Sequence, residues 1–197
     1  MNKKTLIILG VLAVVVIWMY SSVTGKYNNM VSMDEGVTAQ WANVETQYQR
    51  RADLIPNLVS TVKGYAAHEK ETLEAVVQAR AKATSTTIDA GNLNAQSLQK
   101  FQEAQSGLSS ALSRLLVTVE KYPDLKANQN FLELQAQLEG TENRIAVERR
   151  RFNEAVQGYN TFVRKFPNTI YAGWFGFEKK EAFAAQAGSE NAPKVEF

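Results

Sequence analysis

The chain has 197 residues, 45% apolar and 21% charged, which is ordinary globular usage and enough for one domain with additions. It contains no cysteine, so disulfides, thiolate nucleophiles, iron–sulfur clusters and cysteine-type zinc sites are excluded. The net charge of +2 comes from Lys3 and Lys4; residues 21–197 hold 20 basic and 20 acidic side chains, a balance that argues against nucleic-acid binding.

Residues 1–25 read as a cytoplasmic tail and a membrane anchor. No charge occurs between Lys4 and Lys26. Twenty-one residues at ~1.5 Å rise give roughly 32 Å of helix, enough to cross a hydrocarbon core. Leu6, Ile7, Ile8, Leu12, Val15 and Ile17 supply the apolar surface. Trp18 and Tyr20 stand near one end, where an interfacial aromatic belt forms. The rival reading is a cleaved signal peptide, but Val23-Thr24-Gly25 is a poor cleavage signature. With Lys3 and Lys4 before the span and only Lys26 soon after it, the positive-inside rule keeps the N-terminus in the cytoplasm. The expected location is the bacterial inner membrane, single-pass, with the helical body on the periplasmic side.

Four apolar stripes with helical spacing follow. The first is Met30, Met33, Val37, Trp41, Val44 and Tyr48. The second, over about 53–84, is Ile55, Leu58, Val62, Tyr65, Glu69, Leu73, Val76 and Arg80, before a loop-like TSTTIDAG. The third runs Leu98, Phe101, Gln105, Leu108, Leu112, Leu115, Val119 and Tyr122, stopping at Pro123. The fourth runs Phe131, Leu134, Leu138, Thr141, Ile145, Glu148, Phe152, Val156 (or Ala155), Tyr159, Val163 and Phe166, stopping at Pro167. No useful period-2 strand is present. The expected fold is all-α: a transmembrane helix continuing into an antiparallel up-down-up-down bundle of four long helices. Residues 26–183 form that body, and 184–197, polar and small, read as a flexible tail.

Within the body, Arg50-Arg51-Ala-Asp53-Leu-Ile-Pro56-Asn57 reads as a hairpin corner at the membrane-distal tip and a candidate partner contact. Asp53 has the chemistry of an N-cap, and Pro56 then falls in the first turn, where a missing amide costs nothing. Arg50 and Arg51 close the preceding helix, whose C-terminal end prefers cations. Near the other end, YAGWFGFEKKEAF concentrates aromatic residues. Counting helical rises places it at the membrane-proximal base. Tyr171, Trp174, Phe175, Phe177, Lys179 and Lys180 are candidate membrane-interface or subunit contacts, set against a plain role in capping the core.

The blocks YNNMVSMDEGVTAQWANVETQYQRRADLIPNLVSTVKGYAAHEKETLEAVVQAR, YPDLKAN, FLELQAQLEGTENRIAVERRRFNEAVQGYN and the late Phe175–Phe177 together resemble the LemA family over about 27–183. The resemblance implies an anchor followed by an antiparallel helical bundle, a wide bacterial distribution and no established enzymatic activity. It also implies relatives in magnetosome membranes and relatives that accompany membrane zinc metalloproteases.

Catalytic chemistry has little to stand on. His68 is the only histidine, so an imidazole-based metal site would need three carboxylates, and the Glu-x-x-His pairs of di-iron bundles are excluded. Glu142 and Glu148 fall on or beside the fourth stripe and are expected to pair with Arg149 or Arg51. Arg149-Arg150-Arg151 fan out around a helix and read as a solvated face. No Gly-x-Ser-x-Gly elbow or phosphate-cradling loop occurs. The expectation is a protein without catalytic residues, cofactor or metal. Its partners would be membrane lipid, copies of itself and a membrane protein such as a zinc metalloprotease, without nucleic acid. It would act as an envelope scaffold or interaction protein, or alternatively as an accessory or sensor for a membrane protease or stress pathway.

Overall fold

The computed structural model describes residues 2–89 and 93–184. Among them the protein is all-helical, with α1 Lys3–Tyr65, α2 Lys70–Ser85, α3 Ala95–Val119, α4 Pro123–Lys126, α5 Gln129–Arg164 and α6 Asn168–Phe175. The expected tail falls almost wholly outside the described residues.

Helix α1 has 63 residues, about 95 Å at ~1.5 Å per residue. Gly25 does not interrupt it, because one interior glycine costs only about 1 kcal/mol against many helical neighbours. Pro56 does not interrupt it either, and this overturns the expected hairpin corner. A proline inside a helix removes one amide and frees the carbonyl four residues earlier. That carbonyl belongs to Ala52, and Arg80 Nε of α2 donates to it at 2.7 Å. A side chain from the next helix thus satisfies the buried acceptor. The chain turns instead at 66–69, where Glu69 N donates to Ala66 O at 3.1 Å. What looked like one helix over 53–84 is therefore the end of α1, a turn and α2.

The other long helices begin where side chains cap them. Asn94 and Ser97 form a reciprocal capping box at α3, and Asn128 Oδ1 accepts from Phe131 N at 3.1 Å at α5. Pro123 stands at the first position of short α4, which lies within the expected link.

Contacts fix relative directions. Lys26 lies against Phe162, Trp41 against Phe152, Arg51 against Glu142, and Tyr65 against Asn128. Numbers rise on α1 while they fall on α5, so the two run antiparallel. Glu69 meets Tyr122 and Ala83 meets Gln105, so α2 and α3 also run antiparallel.

The core has two apolar layers. The lower includes Met30, Trp41, Tyr48, Phe101, Ile145, Phe152 and Tyr159. The upper includes Ile55, Leu58, Leu108, Leu115, Phe131 and Leu138. The boundary lies one helical turn from the lower layer on each helix: at Arg51 after Tyr48 on α1, Gln105 after Phe101 on α3 and Glu142 before Ile145 on α5.

Candidate functional site at the base of the helical body

The expected corner residues separate onto different faces. Arg51 is 1% exposed. Its Nη1 donates to Ser109 Oγ at 2.9 Å and to the Glu142 carboxylate. Its Nη2 donates to Gln105 Oε1 at 2.7 Å, and Gln105 Nε2 reaches Ala83 O at 3.2 Å. Tyr48 lies under the guanidinium, 5.2 Å to its ring centre. Burial raises the Tyr48 phenol above its ordinary range, with Arg149 and Arg51 pulling the other way. Arg51 therefore joins α1, α3 and α5 in a polar layer between two apolar ones. Arg50, Asp53, Pro56 and Asn57 are exposed on α1. Asp53 is no N-cap, since it lies inside the helix and accepts from Gln49 Nε2 at 2.8 Å.

Glu142 pairs with Arg51, as one of its two expected partners, and Glu148 pairs with Arg151 at 2.8 Å. Arg149 lies over the Phe183 ring at 4.5 Å. His68 is exposed in the α1–α2 turn. Among the described residues no three His, Asp or Glu side chains group closely enough to hold a metal.

The anchor residues Leu6, Ile7, Ile8, Leu12, Val15, Ile17, Trp18 and Tyr20 are all exposed. The most apolar 18-residue window of α1 has a mean hydropathy of 2.5 and none of it is buried. Among the described residues nothing covers this surface, and partial burial begins only at Ser22.

Just beyond that point lies the aromatic base. Tyr27 meets Phe175 edge-on at 4.9 Å and Phe177 at 5.7 Å. Tyr171 meets Trp174 at 5.8 Å. Gly176, at φ +76°, closes α6 in the left-handed conformation that glycine adopts freely, and Phe177 N returns to Ala172 O at 2.9 Å. The chain then runs back along α5 as an extended strap. Asn160 holds both backbone groups of Lys180, at 2.8 and 2.9 Å. Asn153 holds both of Phe183, at 3.1 and 2.9 Å. The spacing matches: seven helical rises and three extended residues each cover about 10 Å. Tyr159 donates to Glu178 O at 2.9 Å; burial first, then Asp34 and Glu178, push its phenol up to about 12. At the strap's end Phe183 stacks on Trp41 at 5.8 Å and meets Phe152 at 5.4 Å.

The aromatic segment is divided between core and surface. Phe183 is core, Tyr171 and Phe177 are half-buried, and Trp174 is 71% exposed. The lysines are engaged: Lys180 pairs with Asp34 at 2.7 Å and Lys179 with Glu181 at 3.0 Å. Sequence reading missed the strap, because its grip is made by asparagine side chains on backbone atoms and leaves no hydrophobic period.

The geometry defines a class first: an all-helical protein in which one described helix, long and apolar enough to cross a membrane, continues into a helical body. A family profile described as LemA family matches residues 40–197, and the chain belongs to that family. Magnetosome protein MamQ 2 of Paramagnetospirillum magneticum is 27% identical over 197 residues, covering 90% of this chain and 71% of that one. Magnetosome protein MamQ of Magnetospirillum gryphiswaldense is 27% identical over 177 residues, 80% and 64% of the two chains. Protein LemA of Metamycoplasma hominis is 23% identical over 155 residues, 79% and 64% of the two.

Proposed function

We propose that this is a membrane-anchored, non-enzymatic scaffold or interaction protein of the bacterial envelope. In this reading residues 5–25 of α1 span the inner membrane with the N-terminus cytoplasmic. The longer helices close into an antiparallel bundle on the periplasmic side. It works by holding a rigid body at a fixed height above the bilayer for copies of itself, the membrane surface or a protein partner. The observation that carries the reading is the undivided α1, whose first third is apolar and uncovered while its remainder is packed. Family membership and the magnetosome-protein relatives support membrane association.

A second reading is an accessory or sensor of a membrane protein such as a zinc metalloprotease, which a groove with exposed apolar residues would favour. The open groove of about 680 Å³ over the Arg51 layer is lined instead mainly by polar side chains, Gln102, Gln105, Glu142 and Arg149 among them. In-cell crosslinking with membrane fractionation, followed by sizing in nanodiscs, tests both. A membrane-bound oligomer or a defined crosslinked partner is expected. A strictly monomeric protein that captures nothing would contradict the scaffold reading.

A further inference from the structure

Among the described residues, the base of the body carries apolar side chains that packing leaves exposed. Phe166 is 81% exposed, Ile170 42% and Trp174 71%. Ile170 and Trp174 stand one turn apart on α6, and Phe166 lies in the turn that precedes it. On the opposite side of α6, Asn168 and Ala172 are buried against the body. Arg164 and Lys165, both exposed, precede the stripe, and among the described residues no ion pair is formed by either. An aromatic and aliphatic face flanked by cations is the composition of a helix that lies in a lipid headgroup layer.

Its height on the molecule selects the occupant. Helix α6 packs beside Tyr27 through Phe175. Tyr27 is two residues beyond the uncharged stretch, about 3 Å along the axis, and seven beyond Tyr20, about 10 Å. With the uncharged stretch as the span, the end of α6 beside Tyr27 falls within the polar zone, roughly 5–7 Å deep, that flanks the hydrocarbon core.

Resting on the membrane-anchored reading, we infer that the Phe166–Ile170–Trp174 face is a second membrane contact, seated in the headgroup layer beside the span. The set differs from the one the sequence suggests. Phe175 and Phe177 face Tyr27, and Lys179 and Lys180 are held by carboxylates, so Trp174 is joined by Phe166, Ile170, Arg164 and Lys165. A single helix leaves a body free to tilt and swing about its axis. A second contact fixes which face of the body looks along the membrane.

The cysteine-free sequence permits a direct test. Single nitroxide labels are placed at Ile170→Cys, at Ile17→Cys in the span and at Val117→Cys on the exposed far part of α3. Each full-length protein is reconstituted in vesicles containing anionic lipid, and collision with oxygen is compared with collision with a water-soluble nickel chelate. Oxygen dominates at residue 17 and nickel at 117. The inference predicts an oxygen-to-nickel ratio at residue 170 between those at 17 and 117, as a site in the headgroup layer gives. A residue 170 with the ratio of residue 117, beside an oxygen-rich residue 17, overturns the inference and leaves the anchor standing, and so does a residue 170 with the ratio of residue 17, which would lie in the hydrocarbon core. Shielding of residue 170 from both reagents means a protein neighbour, a second copy foremost, and also overturns it. A nickel-rich residue 17 removes the anchored reading and the inference with it.

Discussion

The two parts of α1 belong to one helix and obey different rules. From Leu6 to Tyr20 apolar residues surround the axis and every one is exposed. From Met30 to Val62 the buried residues fall on one stripe, with polar residues opposite. Apolar content makes a helix insoluble in water, whereas apolar period makes it pack on a protein. On the membrane-anchored reading the helix meets both solvents, and the change occurs near Gly25 without a break in the backbone.

Equivalent damage to the two parts should therefore register in different measurements. Trp41→Ala removes a fully buried indole that touches Phe101, Phe152 and Phe183. It should cost about 3–5 kcal/mol of body stability, read by denaturant unfolding, with the membrane fraction unchanged. Val15→Arg puts a charge at the middle of the span at about 2.5–3.5 kcal/mol. It should deplete the membrane fraction and leave the unfolding of the body unaltered. If either substitution moves both readouts equally, the division fails.

The polar layer sharpens the contrast inside the body. Glu142→Ala strands the Arg51 guanidinium with neutral partners. Glu142 is 46% exposed, so water offsets part of the loss, and about 2 kcal/mol is expected rather than the roughly 3–5 of a fully buried pair. Arg80→Ala leaves the Ala52 carbonyl unsatisfied, at about 1–3 kcal/mol. Pro56→Ala restores the missing helical amide, so Arg80→Ala should cost less in that background. A double-mutant cycle of denaturation midpoints with no coupling would show that Arg80 has no such role. The smallest effect is Gly25→Ala. An added Cβ there meets nothing within 4 Å, so the helix should gain about 0.5–1 kcal/mol, seen as slower amide exchange on both sides of residue 25.

Much of this was legible in the sequence. The stripes foretold Met30, Val37, Trp41, Val44 and Tyr48 as buried, and the stops at Pro123 and Phe166-Pro167 were correct within a few residues. Local chemistry sufficed there because breakers and periods agreed. It failed at residues 50–57. Asp53 and Pro56 have the spacing of a helix start, but a hydrogen bond from Arg80 lets the helix run on, and a bond across 28 residues leaves no mark on local spacing. The true turn, Ala66-Ala67-His68-Glu69, contains neither glycine nor proline, and Gly64 before it is a weak signal beside Asp53 and Pro56. Gln105 stands in the third stripe and Glu142 beside the fourth, but their sequence spacing does not show that both meet Arg51; together they form one layer that joins α1, α3 and α5.

The claim that one uninterrupted helix leads from the span into the body is tested most directly by an interspin distance. Nitroxides at Val16→Cys and Asn43→Cys flank Gly25 at exposed positions. Their 27 rises correspond to about 40 Å. In nanodiscs the account predicts a single narrow distribution near that value. A broad or markedly shorter one would place a hinge at Gly25 and contradict it.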